Sequence, residues 1–365
     1  MRRRAAVCGE QGMAPASAHR SNGCPGGLWP GCTRLKRSAS RPTVATVRAI
    51  RILIALLIAL GLAGCTNAQA TTSHASARPS AGAAKSSAAP SSPAPTTPAG
   101  LPVRVSLFEG DGQTYGVAMP IIAYFSAKVT DATAFDKAVT VTVNGQPASG
   151  AWYWEPSSRS QYALEAHYRL RDYWPGHATI AVSMPISGLP AGPGLVFAND
   201  VTLDMHTGAA QLATVDGTPG VDTMTITSDG QPLKTLKVSL GAAKTPTYLG
   251  TAVAMAKANP QEMKSDPGEQ PAYDLMVPWS VRFTNDGEFI HDAYWNGQIG
   301  RQNLSHGCTN LSPADAAWYY HVAQIGDPVT WVHTGTRQTI PATDGWGDWN
   351  LSWTTYAQGG LLPPA

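Results

Sequence analysis

The chain is poor in cysteine, in charge and in phenylalanine. Its 365 residues include five cysteines and six phenylalanines, and only 14% are Asp, Glu, Lys or Arg. Four of the cysteines (Cys8, Cys24, Cys32 and Cys65) fall in the first 65 residues, so Cys308 stands alone downstream. A structural zinc site needs about four ligands, usually delivered as paired C-x2-4-C or H-x3-5-H units. No such pair surrounds Cys308, so no metal is expected there, and nothing in the sequence asks for a cofactor. A membrane-spanning helix is also missing from the apolar stretch I-L-I-A-L-L-I-A-L-G-L-A at 52–63, which is well short of the roughly 20 residues a bilayer requires. Basic runs are lacking beyond residue 64. Residues 1–64 hold ten of the 26 Lys/Arg and one of the 24 Asp/Glu, which leaves 16 basic against 23 acidic residues in the remainder. That acidic balance excludes nucleic acid as a partner.

The short apolar stretch has the form of a signal peptide. Arg48 and Arg51 precede it, and it closes on Leu62-Ala63-Gly64-Cys65, small residues before a cysteine in the manner of a bacterial lipobox. The expectation is an exported lipoprotein, lipidated on Cys65 and anchored to the outer face of the cytoplasmic membrane. Residues 1–47 push that stretch unusually far inward, and a start at Val44 or Val47 would restore an ordinary leader. Residues 65–100 then supply the lipidated cysteine and a linker of Ala, Ser, Thr and Pro, a composition with too little apolar surface to offset the entropy of ordering.

Residues 101–198 read as a β-domain. Val139, Val141 and Val143 alternate with Thr140 and Thr142 and end at Asn144-Gly145, a hairpin signal. Trp152 and Trp154 share one face of the next strand. Tyr162, Leu164, Ala166, Tyr168 and Leu170 alternate with Ala163, Glu165, His167, Arg169 and Arg171, the pattern of a strand with one face in the core and one in water. Short strands at this spacing predict an immunoglobulin-like sandwich, in which the aromatic stripe is core in the first instance and a glycan platform in the second.

A second β-rich unit is expected over 199–333. It has a hairpin of 223–227 and 233–240 about Asp229-Gly230, a short apolar piece at 252–258 that reads equally as helix or strand, and loop chemistry over 263–272. Strands at 279–283 and 288–291 follow, joined by Asn285-Asp286-Gly287. Ser312-Pro313-Ala314-Asp315 is a helix start, with the helix running to about Ile325 before Gly326.

The chemistry concentrates in 290–311, I-H-D-A-Y-W-N-G-Q-I-G-R-Q-N-L-S-H-G-C-T-N-L. An unpaired cysteine in an exported protein is a candidate nucleophile, and a thiol of ordinary pKa near 8.5 requires a base. His291 and His306 are the two within reach. Gly307 beside the sulfur allows close approach of a substrate and offers an N–H to an oxyanion. Sequence spacing does not choose between the histidines, although neighbours two apart are poorly placed for proton transfer.

H-D-A-Y-W followed by S-H-G-C-T-N-L-S-P-A-D-A resembles the signature of the bacterial L,D-transpeptidases, YkuD-like enzymes, in their mycobacterial form. The resemblance extends loosely from residue 199 through the tail Asp344-Gly345-Trp346-Gly347-Asp348-Trp349-Asn350. It implies a mainly β chain: an Ig-like sandwich, then a β-rich catalytic domain with a short helix after the cysteine, then an extension over 334–365 packing on the catalytic domain. It further implies Cys308 as nucleophile, His291 as base oriented by the backbone carbonyl of Asp292, and Gly307 and Cys308 N–H groups, with His306, at the oxyanion. Tyr273, Met263, Trp295, Ser305 and Asn310 would line the substrate pocket. The implied reaction is a 3→3 crosslink between peptidoglycan stem peptides with release of D-Ala from a tetrapeptide donor, and carbapenems would acylate Cys308. An L,D-carboxypeptidase and a non-catalytic wall-binding lipoprotein remain alternatives. The segment after Met263 is about five residues shorter than the mycobacterial pattern and lacks its aromatic, and the His291–Cys308 interval is one residue shorter than in some members.

Overall fold

The computed structural model describes residues 100–265, 273–336 and 338–364. Cys65, the leader and almost all of the linker lie outside the described residues.

Two β-sheets face each other in the first half. One has the strands Thr114–Tyr115, Val201–Thr207, Thr179–Met184, Thr140–Val143 and Gln146–Pro147 in that order, and the other Val105–Leu107, Ile121–Phe125, Leu164–Leu170 and Gly150–Glu155. The predicted hairpin turns at Asn144 (φ 50°) and Gly145 (φ 77°), left-handed positions that Asn and Gly occupy at low cost. Phe125, Phe135, Trp154 and Phe197 meet between the sheets with centroids 4.8–6.4 Å apart, so this aromatic set is core. The expected boundary at residue 199 falls just ahead of a strand of this sandwich, because Val201–Thr207 pairs with Thr179–Met184 from Val201↔Met184 to His206↔Thr179.

The strand Leu164–Leu170 departs from its expected half-buried form. Glu165, His167 and Arg169 are only 2%, 0% and 2% exposed, so both faces are covered. Alternation along one strand cannot reveal a cover that comes from 180 residues away. Asp348, Trp349 and Tyr356 supply it. Arg169 donates to the carbonyls of Asp348 and Leu351, each at 3.2 Å, and its guanidinium lies over the rings of Trp349 and Tyr356 at 4.4 and 4.1 Å. The same C-terminal segment also touches the second half, where Asn350 exchanges two hydrogen bonds of 2.8 Å with the backbone of Thr251. It therefore packs on both halves rather than on the second alone.

The second half contains a five-stranded sheet, Gln231–Lys237, Thr223–Ser228, Gln211–Asp216, Pro328–Val332 and Gly250–Val253. A four-stranded sheet, Ala256–Ala258, Ser280–Arg282, Phe289–Asp292 and Thr309–Leu311, stands beside it. The ambiguous piece at 252–258 thus belongs to two strands. Gln261–Lys264 and Asp274–Val277 form a hairpin, so Met263 sits on a strand where a loop was expected, and the tip between them lies outside the described residues. The helix Pro313–Val322 begins as expected, with Ser312 Oγ accepting from Asp315 N, and stops at the Ala323 cap, short of Ile325.

Candidate active site

Parallel pairing of Phe289–Asp292 with Thr309–Leu311 sets His291 beside Asn310. Extending that register by one residue puts Cys308 beside Phe289, whose N–H donates to Cys308 Sγ at 3.3 Å. Paired residues of parallel strands point to one face, and so do residues two apart on a strand. Cys308, His291 and Asn310 therefore face the same way from a rigid sheet. Hydrophobic contacts gather Cys308 and Phe289 with Met263, Tyr273, Leu275, Val277 and Trp295, which brings the predicted pocket residues Met263, Tyr273 and Trp295 to the predicted nucleophile. The rings of Tyr273 and His306 stack at 5.8 Å, and those of His291 and Trp295 lie 6.0 Å apart.

His291 is 2% exposed, and burial pushes its pKa down to about 4. Its Nδ1 donates to Asp292 O at 2.7 Å. A carbonyl only accepts, so the hydrogen resides on Nδ1 and Nε2 keeps its lone pair, the tautomer a general base needs. Cys308 is fully buried.

The turn before Cys308 is braced from a segment that the sequence reading did not single out. Thr247 Oγ1 donates to Gly307 O at 2.6 Å, and Thr245 Oγ1 donates to Ser305 O at 3.0 Å. Ser305 Oγ donates to Cys308 O at 2.6 Å and accepts from Gly307 N at 3.2 Å. The Gly307 N–H, expected to face an oxyanion, is engaged by Ser305 in this state. Gly307 has φ +140°, and a Cβ there would meet Glu288 Oε1 at 3.1 Å. Glu288 is buried, with its pKa raised to about 8 by desolvation, and accepts from Tyr248 N at 3.3 Å. Isolated threonines sixty residues upstream form no motif, and the Asp-Gly-Glu turn gave only a strand boundary, so neither brace was legible.

Among the described residues, Asn310 Nδ2 and Oδ1 and Trp295 Nε1 are buried without hydrogen-bond partners. Asn310 is 1% exposed, and a buried amide of this kind costs free energy until something pairs it. Buried, unpaired donors and acceptors beside a base and a sulfur suit a site completed by a substrate amide.

Residues 214–330 match a family model described as the L,D-transpeptidase catalytic domain, and residues 67–190 match a bacterial Ig domain. The chain is 31% identical over 256 residues to L,D-transpeptidase 2 of Mycobacterium tuberculosis, covering 68% of this chain and 60% of that one. It is 30% identical over 234 residues to the probable L,D-transpeptidase 3 of the same species, covering 60% and 82%. It spans only 60% and 55% of the lengths of relatives 2 and 5. Among solved structures, an L,D-transpeptidase from Mycobacterium smegmatis is similar with a TM-score of 0.51 at 31% identity, covering 64% of this chain and 100% of that one. An L,D-transpeptidase in complex with imipenem is similar with a TM-score of 0.52 at 28% identity, covering 62% and 97%.

Proposed function

For a chain that belongs to the L,D-transpeptidase family, we propose that reduced Cys308 is the nucleophile of a peptidoglycan L,D-transpeptidase and His291 its base. One observation carries the assignment of roles: His291 is fixed by Asp292 O in the neutral tautomer, on the strand paired with the one that follows Cys308.

A histidine with a pKa near 4 carries no second proton at neutral pH, so His291 Nε2 is open to accept one from the thiol. Proton transfer to Nε2 accompanies attack on the stem-peptide carbonyl, and the tetrahedral oxyanion develops at the Ser305–Cys308 turn. Swinging of the Ser305 hydroxyl would release the Gly307 N–H toward that charge. The imidazolium then protonates the departing D-Ala amine and leaves a thioester. The side-chain amine of a second stem, deprotonated by the same Nε2, attacks the thioester and gives the 3→3 crosslink. His306, stacked on Tyr273, forms a wall of the donor site together with Met263 and Trp295, and Asn310 pairs with substrate amide groups.

The leader and the acidic downstream balance support export with a lipid anchor on Cys65, which would hold the catalytic unit on the outer face of the cytoplasmic membrane at the wall. Carbapenems present a strained amide to the same sulfur.

The deciding experiment is intact mass of the chain, under reducing conditions, after incubation with imipenem. A gain of one drug mass in the wild type and none in Cys308→Ala is expected. Reaction of Cys308 with a small alkylating agent but not with imipenem would remove the family's donor site from the reading. With a tetrapeptide stem as sole substrate, crosslinked dimer is the expected product, and free tripeptide alone would make the enzyme a carboxypeptidase.

A further inference from the structure

The sandwich holds two carboxylates where a sheet does not tolerate them unaided. Glu155 and Glu165 are direct cross-strand partners on Gly150–Glu155 and Leu164–Leu170, and they are 3% and 2% exposed. Like charges directly opposite one another destabilise a strand pair even at a surface, and in a core they require a cation. His167, fully buried two residues on, turns Nε2 toward both: 3.5 Å from Glu165 Oε1 and 3.8 Å from Glu155 Oε1.

These separations are too long for an imidazolium, which would draw a carboxylate to about 2.7–2.9 Å. Among the described residues, Nε2 has nothing nearer than Glu165 Oε1, and Glu155 Oε2 has no close partner. They do fit a metal ion between the groups, because donors bound at 2.0–2.2 Å stand roughly 3.3–3.8 Å from one another in tetrahedral or trigonal arrangement. The three donor atoms all lie within 4.8 Å of each other.

The groups behind the donors are arranged to match. His167 Nδ1 is 3.0 Å from both Asp348 oxygens, the carboxylate–histidine pairing that leaves Nε2 as the ligand atom. Glu165 Oε2 is occupied by Ser157 Oγ, Ser158 N and Ser158 Oγ at 2.9, 3.0 and 3.1 Å, which turns Oε1 to the centre. We propose that Glu155, Glu165 and His167 form a binding site for a first-row divalent cation, Zn2+ or Mn2+, the ions suited to one imidazole and two carboxylates. Three carboxylates, counting Asp348, then balance the ion and the Arg169 guanidinium. Because Asp348 belongs to the C-terminal segment, the ion fastens that segment to the sandwich through His167.

The test uses the full chain with its thiols alkylated, so that sulfur does not compete, and stripped with EDTA. Mn2+ is titrated in and followed by loss of the six-line electron paramagnetic resonance of the free ion. One equivalent bound per chain is expected, with binding weakened at least ~10-fold in both Glu155→Gln and Glu165→Gln. Asp348→Asn, one shell out, should weaken it about 10–100-fold without changing the stoichiometry. Zn2+ should raise the melting temperature of the wild type and leave that of Glu155→Gln in place. Wild type that binds no Mn2+ in tenfold excess would overturn the proposal, as would binding in either Gln variant as tight as in the wild type. Circular dichroism of each variant in EDTA confirms that the fold is kept.

Discussion

His291 is the residue on which the proposed chemistry turns, and its burial makes a prediction with a definite sign. The neutral imidazole is the active form, so rate is present above its pKa of about 4 and falls away as the pH drops through that value. The acid limb of kcat/KM should accordingly lie near pH 4, below that of a solvent-exposed histidine. His291→Gln keeps the bulk and removes the base, and should cost about 10²–10⁴-fold in imipenem acylation rate. Gly307→Ala tests the turn. At φ +140°, with Glu288 Oε1 3.1 Å from the added carbon, the backbone strain of about 1–3 kcal/mol should lower both acylation rate and melting temperature. Ser305, His306, Gly307 and Cys308 were legible as one contiguous motif, and His291 by its spacing from it. Thr245, Thr247 and Glu288 were not, because a brace from another segment leaves no periodicity or spacing in the sequence.

At the scale of elements, the hairpins at Asn144-Gly145 and Asp229-Gly230 announced themselves because a left-handed turn restricts its residues to a small set. Helix Pro313–Val322 did so through its Ser-Pro-x-Asp start. The hairpin at 261–277 did not, since its first strand carries the polar, Pro- and Gly-flanked composition of a loop and is held only by its partner. Glu288 lies at the root of the strand that bears His291, and its raised pKa links the strand to pH. Folding lifts this carboxyl from 4.5 to about 8, so between those values the native state binds more protons than the unfolded one. Stability from Glu288 is present below pH 4.5 and lost as pH rises toward 8. Asp327, raised to about 7 by burial, acts in the same direction. The melting temperature should decline from pH 5 to pH 8, and Glu288→Gln should flatten that decline. An equal slope in the variant would show that the carboxyl is ionised in the native state.

At the scale of the whole molecule, the C-terminal segment joins both halves. Trp346, 5% exposed, packs edge-on against Phe108 with centroids 4.8 Å apart. Its replacement by Ala should cost about 3–5 kcal/mol and be read as a loss in urea midpoint. Tyr356→Phe removes only the bond from its hydroxyl to His167 O at 2.6 Å, for about 1 kcal/mol. The two-part β architecture was readable from strand spacing. The shared cover was not, because the alternating pattern of Leu164–Leu170 describes one strand and its own core face, whereas the far face is closed by residues whose Gly-Trp-Gly-Asp-Trp composition resembles a loose tail.

That closure has a consequence in time. Arg169 and Asp348 are 179 positions apart, and a ribosome moving at 5–20 residues per second needs on the order of 10–40 s to cover the interval. Throughout that period the sandwich, although translated first, would leave His167 and Arg169 without Asp348, Trp349 and Tyr356 over them. The earlier half of this molecule reaches its finished form only after the later half has been made, so a nascent chain arrested before Trp346 should display the sandwich to proteases as an incomplete domain.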